Sequence, residues 1–266
     1  LLMIYFVVYL HQGALGMVKA SFFAALLFFA ASLFGLRKEI TLKVNLTKLK
    51  ESLAYGLPLV PHSLAGWIFS LADRLIIGNY RNMESVGLYS IGYNFGSIMS
   101  MITTAINFAY VPFFMSTAKS KGEEAKIIFS RIATYYMAAI LLIALIISLF
   151  AKEVIMIMTT SPYYDAHKVV PLITFSFVLN GMYFFVANPI FYVKSATKYL
   201  PLATFSAAAV GLLFNFILIP KFDYMGAAYS STLSFGVLLV LTWFISHRVY
   251  PIRFEYKKII LIWIAI

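Results

Sequence analysis

Apolar residues run in seven long stretches along this chain, at Ala14–Leu36, Leu53–Gly78, Val86–Ser116, Ile132–Phe150, Val169–Val193, Leu200–Pro220 and Gly226–Ser246. Each reaches the roughly 17–25 residues that a helix needs to cross ~30 Å of hydrocarbon. The pattern predicts an all-α fold, a polytopic transmembrane helical bundle. Leu1–Leu10 and Ile259–Ile266 are also apolar but shorter, and the chain has no initial Met. The expectation is that both ends are cut through helices.

Composition removes a water-soluble fold from consideration. Hydrophobic residues make up 62% of the chain, charged residues 12%, and mean hydropathy is +0.89, whereas soluble domains carry roughly 25% charged residues. The net charge of +11 sorts by loop. Fifteen Lys and Arg fall in alternate connections, at Arg37–Lys50, Lys119–Arg131, Lys194–Lys198 and Arg248–Lys258, against four in the intervening ones, Arg81, Lys152, Lys168 and Lys221. By the positive-inside rule the basic side is cytoplasmic. The charge therefore reports orientation and contact with anionic membrane lipids, and nucleic acid is not expected as a partner. With no Cys in the chain, disulfides, thiolate metal sites and Cys nucleophiles are absent. Leu46, Leu49 and Leu53 recur at helical spacing beside Lys48 and Lys50, which suits a helix along the membrane surface as well as a solvated linker.

Ionisable residues inside a span cost about 2.5–3.5 kcal/mol each on insertion scales, so they should face protein or a hydrated cavity. The adjacent pair Asp73 and Arg74 stands out. At ~100° per residue, His62, Gly66, Ser70 and Asp73 share one narrow helix face, with Arg74 turned about 100° away. The next span repeats the theme with Ser90, Asn94, Ser97 and Thr104, and with Asn107 slightly off the stripe. Together with Lys19 in the first span, these residues make a candidate translocation cavity: Asp73, Arg74, His62, Ser70, Asn94, Asn107 and Lys19. A packing explanation competes at each. Asp73, Arg74 and Lys19 lie where they can pair with other helices or snorkel, His62 suits helix packing as well as proton transfer, and Ser, Thr and Asn also join helices at about 0.6–2 kcal/mol per contact. Gly226, Ser230 and Ser234, and Gly211 with Asn215, are spaced for close helix contact. Pro58, Pro61, Pro112 and Pro189 fall inside spans, where each removes a backbone hydrogen bond and bends the helix.

Gly56-Leu57-Pro58-Leu59-Val60-Pro61, then Asp73-Arg74-Leu75-Ile76-Ile77-Gly78, then Val86-Gly87-Leu88-Tyr89-Ser90 resemble a conserved block of the polysaccharide biosynthesis or oligosaccharide flippases of the multidrug/oligosaccharidyl-lipid/polysaccharide exporter superfamily. Asn215-Phe216-Ile217-Leu218-Ile219-Pro220 followed by Gly226-Ala227-Ala228 is similar to a second signature. Two departures stand out: Asp223-Tyr224-Met225 replaces a Gly-containing turn, and Met83-Glu84-Ser85 is a polar form of its loop. The resemblance covers Tyr55 to about Ser246. It implies that 1–36 ends a first transmembrane lobe, 37–52 is a cytoplasmic linker, 53–248 is a second lobe of six helices, and 257–266 starts a further helix. It also implies a bacterial inner-membrane flippase that carries a polyprenyl-diphosphate-linked oligosaccharide, such as an O-antigen unit, to the outer leaflet. Its partners would be that lipid-linked oligosaccharide and the missing first lobe of the same chain. No cofactor is implied, and several members couple transport to H+ or Na+.

A sugar diphosphate cannot enter hydrocarbon unsolvated, so Arg74 and Lys19 suit the diphosphate and the amide and hydroxyl groups suit the saccharide. The rival within the superfamily is a multidrug or cation antiporter, for which only Asp73 is available deep in a span. A membrane-embedded saccharide polymerase or acyltransferase would need a site in the outer loops, and Asn79–Ser85 and Lys221–Met225 are short. Neither paired carboxylates, a metal-ligand cluster nor a Ser–His–Asp arrangement is legible. The expectation is a transporter.

Overall fold

Among the residues that the computed structural model describes (2–37, 45–56 and 71–265), six helical stretches are long and apolar enough to cross a membrane: Leu15–Leu36, Met83–Lys121, Glu123–Leu149, Val170–Tyr192, Ala196–Phe222 and Tyr224–Val249. Six of the seven predicted spans correspond to these. The other, Leu53–Gly78, falls largely on 57–70, outside the described residues, as do Pro58 and Pro61. The chain divides into two compact units, Leu1–Pro58 and Leu59–Ile266.

The first unit holds helix α1 (Gly13–Leu36) and helix α2 (Leu46–Gly56), preceded by an irregular helical segment at 2–9. The Asn45 carboxamide oxygen accepts from the backbone N–H of Thr47 and Lys48 at 3.1 and 3.2 Å, so α2 starts at a side-chain cap. Leu46, Leu49 and Leu53 are all exposed on it. Part of the connection predicted as a linker is thus helical.

The second unit contains α3 (71–80), α4 (Met83–Gly96), α5 (Ile98–Lys121), α6 (Glu123–Leu149), α7 (Ala151–Met158), α8 (Val170–Tyr192), α9 (Leu200–Phe222), α10 (Tyr224–Val249) and α11 (Tyr256–Ala265). α4 and α5 run as one span. Ser97 interrupts them, yet Ser97 N–H bonds to Tyr93 C=O and Met101 N–H to Ser97 C=O, so the helical ladder continues. α8 lies at the centre and packs against α4, α5, α6 and α10, while α9 packs on α10. No charged residue occurs between Val170 and Tyr192, and a helix apolar on all faces belongs in the interior. Small residues set the spacing: a Cβ on Gly96 would sit 2.6 Å from Ile173 Cγ2, and one on Gly181 2.6 Å from Thr103 Cγ2. Phe185 of α8 is sandwiched between Tyr110 of α5 and Tyr136 of α6, with ring centroids 4.1 and 4.4 Å apart.

Two of the single-residue joins take positive φ. Gly122 (φ 52°) links α5 to α6 and Asp223 (φ 55°) links α9 to α10. The segment between α6 and α8, which the sequence suggests is a bare connection, forms α7 and a 3-10 helix, Ser161–Lys168, that packs back on α4. Its fit depends on Gly92, where a Cβ would lie 2.7 Å from Ala166 C=O.

Candidate functional site

Asp73 leaves α3 toward the inside of the second unit and is 3% exposed. Its Oδ2 accepts from Tyr89 Oη of α4 at 2.5 Å and from Ser231 Oγ of α10 at 3.4 Å, and its Oδ1 accepts from Asn215 Nδ2 of α9 at 2.6 Å. One carboxyl thus joins four helices. A buried carboxyl without donors would cost several kcal/mol, and three donors from three neighbouring helices meet that demand. Tyr89 and Asn215 are themselves fully buried. One acceptor at the node, Asn215 Oδ1, is buried with no partner among the described residues.

Arg74 is half-buried on the adjacent face. Its Nε donates to Ser90 Oγ at 3.2 Å, and its guanidinium carbon lies 4.8 Å from the Tyr93 ring centroid and 5.8 Å from that of Tyr89. Stacking on Tyr93 is worth about 0.5–1 kcal/mol or more once desolvated. One helix face therefore sends a carboxyl inward while the next holds a cation on aromatic rings.

A second polar cluster closes the basic-poor end of the unit. Arg81 donates to the C=O groups of Ile219 and Pro220 in the last turn of α9, the negative end of the helix dipole, and the Ile219 carbonyl also accepts from the Asp223 N–H. Asn82 caps α4 by accepting from Ser85 N–H at 2.8 Å, and Ser85 Oγ donates to Asp223 Oδ2 at 3.0 Å. At the basic-rich end, Ser130 Oγ donates to Arg253 C=O and Thr134 Oγ1 to Glu255 Oε2, at 2.7 and 2.9 Å.

Of the seven predicted site residues, the five that are described fall into separate places. Asp73 and Arg74 belong to the cluster just described, with Ser90. Asn94 is exposed on α4, and Asn107 accepts from Asn188 Nδ2 of α8 at 3.2 Å, farther along the α4–α5 span. Lys19 is an exposed residue of the first unit, donating to Gln12 Oε1 at 2.9 Å. His62 and Ser70 lie outside the described residues. Asp73 is enclosed by the side chains of Tyr89, Asn215 and Ser231. Two cavities in this unit, about 260 and 230 Å³, are lined almost entirely by apolar groups and include none of these residues. Sequence reasoning missed Tyr89, Asn215 and Ser231 as partners of Asp73. Asn215 reads as a packing residue four positions from Gly211, although it opens the second signature. A lone Asn in an otherwise apolar helix is the signal that was there to use.

A family model described as polysaccharide biosynthesis protein matches residues 2–171, a range that contains Asp73 and Tyr89 and stops before Asn215. A probable low-salt glycan biosynthesis flippase of Haloferax volcanii is 25% identical over 202 residues, 75% of this chain and 42% of that protein. A putative protein of the Lsg locus of Haemophilus influenzae is 26% identical over 143 residues, 53% of this chain and 35% of that protein. A capsular polysaccharide biosynthesis protein of Staphylococcus aureus is 23% identical over 212 residues, 77% of this chain and 52% of that protein. The chain spans about half the length of these relatives or less. No solved structure matches it. Six apolar spans and relatives of this kind make it a multi-pass protein of the bacterial plasma membrane.

Proposed function

We propose, from the premise that the chain belongs to the polysaccharide biosynthesis protein family, that it serves as part of a flippase moving a lipid-linked oligosaccharide from the cytoplasmic to the outer leaflet. In this reading it is a transporter and not an enzyme. Residues 53–248 act as the second lobe of a pair, and 1–36 as the end of the first. The observation that carries the reading is the Asp73 node. A carboxyl bonded to Tyr89, Asn215 and Ser231 has no role in a purely apolar packing face, and removing any donor unbalances four helices at once.

The node also supports coupling to H+ or Na+. An ionised carboxyl accepts from all three donors, while a protonated one must donate through one oxygen. Hydroxyls can turn to accept that proton, and a rotated Asn215 amide presents its unpaired Oδ1. Protonation, or a cation seated against Asp73 and these oxygens, exchanges one bonding pattern for another and shifts α9 and α10 against α3. A lobe with two such arrangements is what alternating access requires. Arg74, held on Tyr93, is the cation of this region suited to a diphosphate group.

The test is made in cells deleted for the intact protein. Lipid-linked saccharide should accumulate on the cytoplasmic face and surface polysaccharide should disappear, with drug accumulation unchanged. Raised drug accumulation with normal surface polysaccharide would favour a cation antiporter instead.

A further inference from the structure

The larger apolar cavity lies toward the basic-rich end of the second unit. Its lining includes Met137 of α6, Phe185 of α8, Val240 and Trp243 of α10, and Tyr256 and Ile259 of α11. Among these, Trp243 Nε1 donates to Tyr256 Oη at 3.3 Å, and His247 stacks on the Trp243 ring at 5.5 Å. Trp and Tyr with polar tips at one depth are the pattern of the membrane–water interface. The cavity is therefore an apolar slot running from headgroup level into the hydrocarbon, between α10 and α11.

Charge is asymmetric at that mouth. Arg131, Lys257 and Lys258 are exposed, each within two positions of a groove-lining residue, Ala133, Tyr256 or Ile259. Glu255 offsets part of this charge: its carboxyl accepts from Lys258 Nζ at 2.6 Å and from Thr134 Oγ1 at 2.9 Å. Arg131 and Lys257 remain in excess, with Arg248 and Arg253 exposed nearby in the sequence. Basic pockets between transmembrane helices on the cytoplasmic side hold anionic lipid headgroups. We infer that this groove is a binding site for an anionic phospholipid of the leaflet at the basic end, one acyl chain lying over Met137, Phe185 and Val240 and the phosphate held by Arg131, Lys257 and Lys258. The site is distinct from the Asp73 node and does not depend on what the protein transports.

The intact protein, purified and analysed by native mass spectrometry with added phosphatidylglycerol or phosphatidylcholine, tests this. Phosphatidylglycerol should be retained saturably and in preference to phosphatidylcholine. Arg131→Gln and Lys257→Gln, both surface changes that leave the core intact, should each weaken retention roughly fivefold, since a cation near an anionic headgroup is worth ~1 kcal/mol. Val240→Trp, which fills the groove, should abolish saturable retention while Arg74→Gln leaves it unchanged. Equal retention of the two lipids, or an unchanged preference in the charge variants, would overturn the assignment. So would displacement of phosphatidylglycerol by a lower concentration of polyprenyl phosphate, which would give the groove to the transported lipid.

Discussion

Asn215 Nδ2 lies 2.6 Å from Asp73 Oδ1, joining two fully enclosed side chains 142 positions apart in the chain. This contact fixes α9 against α3 at the depth where Tyr89 and Ser231 also reach the same carboxyl. Hydrogen bonds to charged groups contribute about 1.5–3 kcal/mol, and an orphaned buried partner adds its own desolvation cost. Asn215→Ala and Asp73→Asn should therefore each lower stability by about 1–3 kcal/mol in denaturant titrations of the detergent-solubilised protein. The double variant should fall short of the sum by about 0.5–3 kcal/mol, the coupling expected of residues in one network. Strict additivity would show that the contact contributes nothing in the native state.

Asp223 holds φ 55° and ψ −142° at the α9–α10 join, close to the φ 52° and ψ −120° of Gly122 at the α5–α6 join. Glycine adopts such angles freely, whereas a residue with a Cβ is strained by about 1–3 kcal/mol. The Ser85 hydrogen bond to Asp223 returns about 0.5–1.5 kcal/mol. Asp223→Gly should accordingly stabilise the protein by about 1 kcal/mol, read as a shift of the thermal midpoint. On that background Ser85→Ala should have little effect, because its acceptor is gone.

Glu255 sits in the connection between α10 and α11, outside the spans, and hydrogen bonds from Lys258 first and Thr134 second hold its carboxyl below the ordinary range. A depressed carboxyl stabilises the fold above its unfolded pKa and loses that contribution as pH falls through the folded value. The attachment of α11 to α6 should thus be unchanged near neutrality and loosen at acid pH, below the usual 4.5 of a Glu. Hydrogen exchange of residues 256–265 should show an acid-side rise in wild type. Glu255→Gln should exchange faster at neutral pH and lack that pH step.

The apolar pattern revealed the long helices because crossing a bilayer demands length and hydrophobicity that leave a clear trace. Ends were harder. α6 begins at Glu123 rather than Ile132 because its first turns stand clear of the apolar window while still continuing the helix. The 151–168 region reads as a loop by charge, yet short helices there bury Ile155 and Ala166 against α4, a contact visible only once Gly92 is seen to admit it. At the site, Asp73 and Arg74 announce themselves because ionisable groups are expensive in a span. Their partners do not. Tyr89 and Ser231 are ordinary membrane-helix residues individually, and only the packing of α4 and α10 around α3 aims them at one carboxyl. Asn94 shares helical spacing with Ser90 but not its neighbours, so a stripe that is uniform in sequence divides in space.

The central claim is that the Asp73 node serves translocation of a lipid-linked saccharide. It is tested most directly by reconstituting the intact protein in vesicles with a fluorescent polyprenyl-diphosphate oligosaccharide and measuring, by access of an external lectin, the rate at which the saccharide crosses leaflets. Asp73→Asn, compared at equal amounts of folded protein, should slow crossing at least about tenfold, equivalent to ~1.4 kcal/mol, and abolish its dependence on an imposed H+ or Na+ gradient. Crossing at the wild-type rate with the gradient dependence intact would contradict the account.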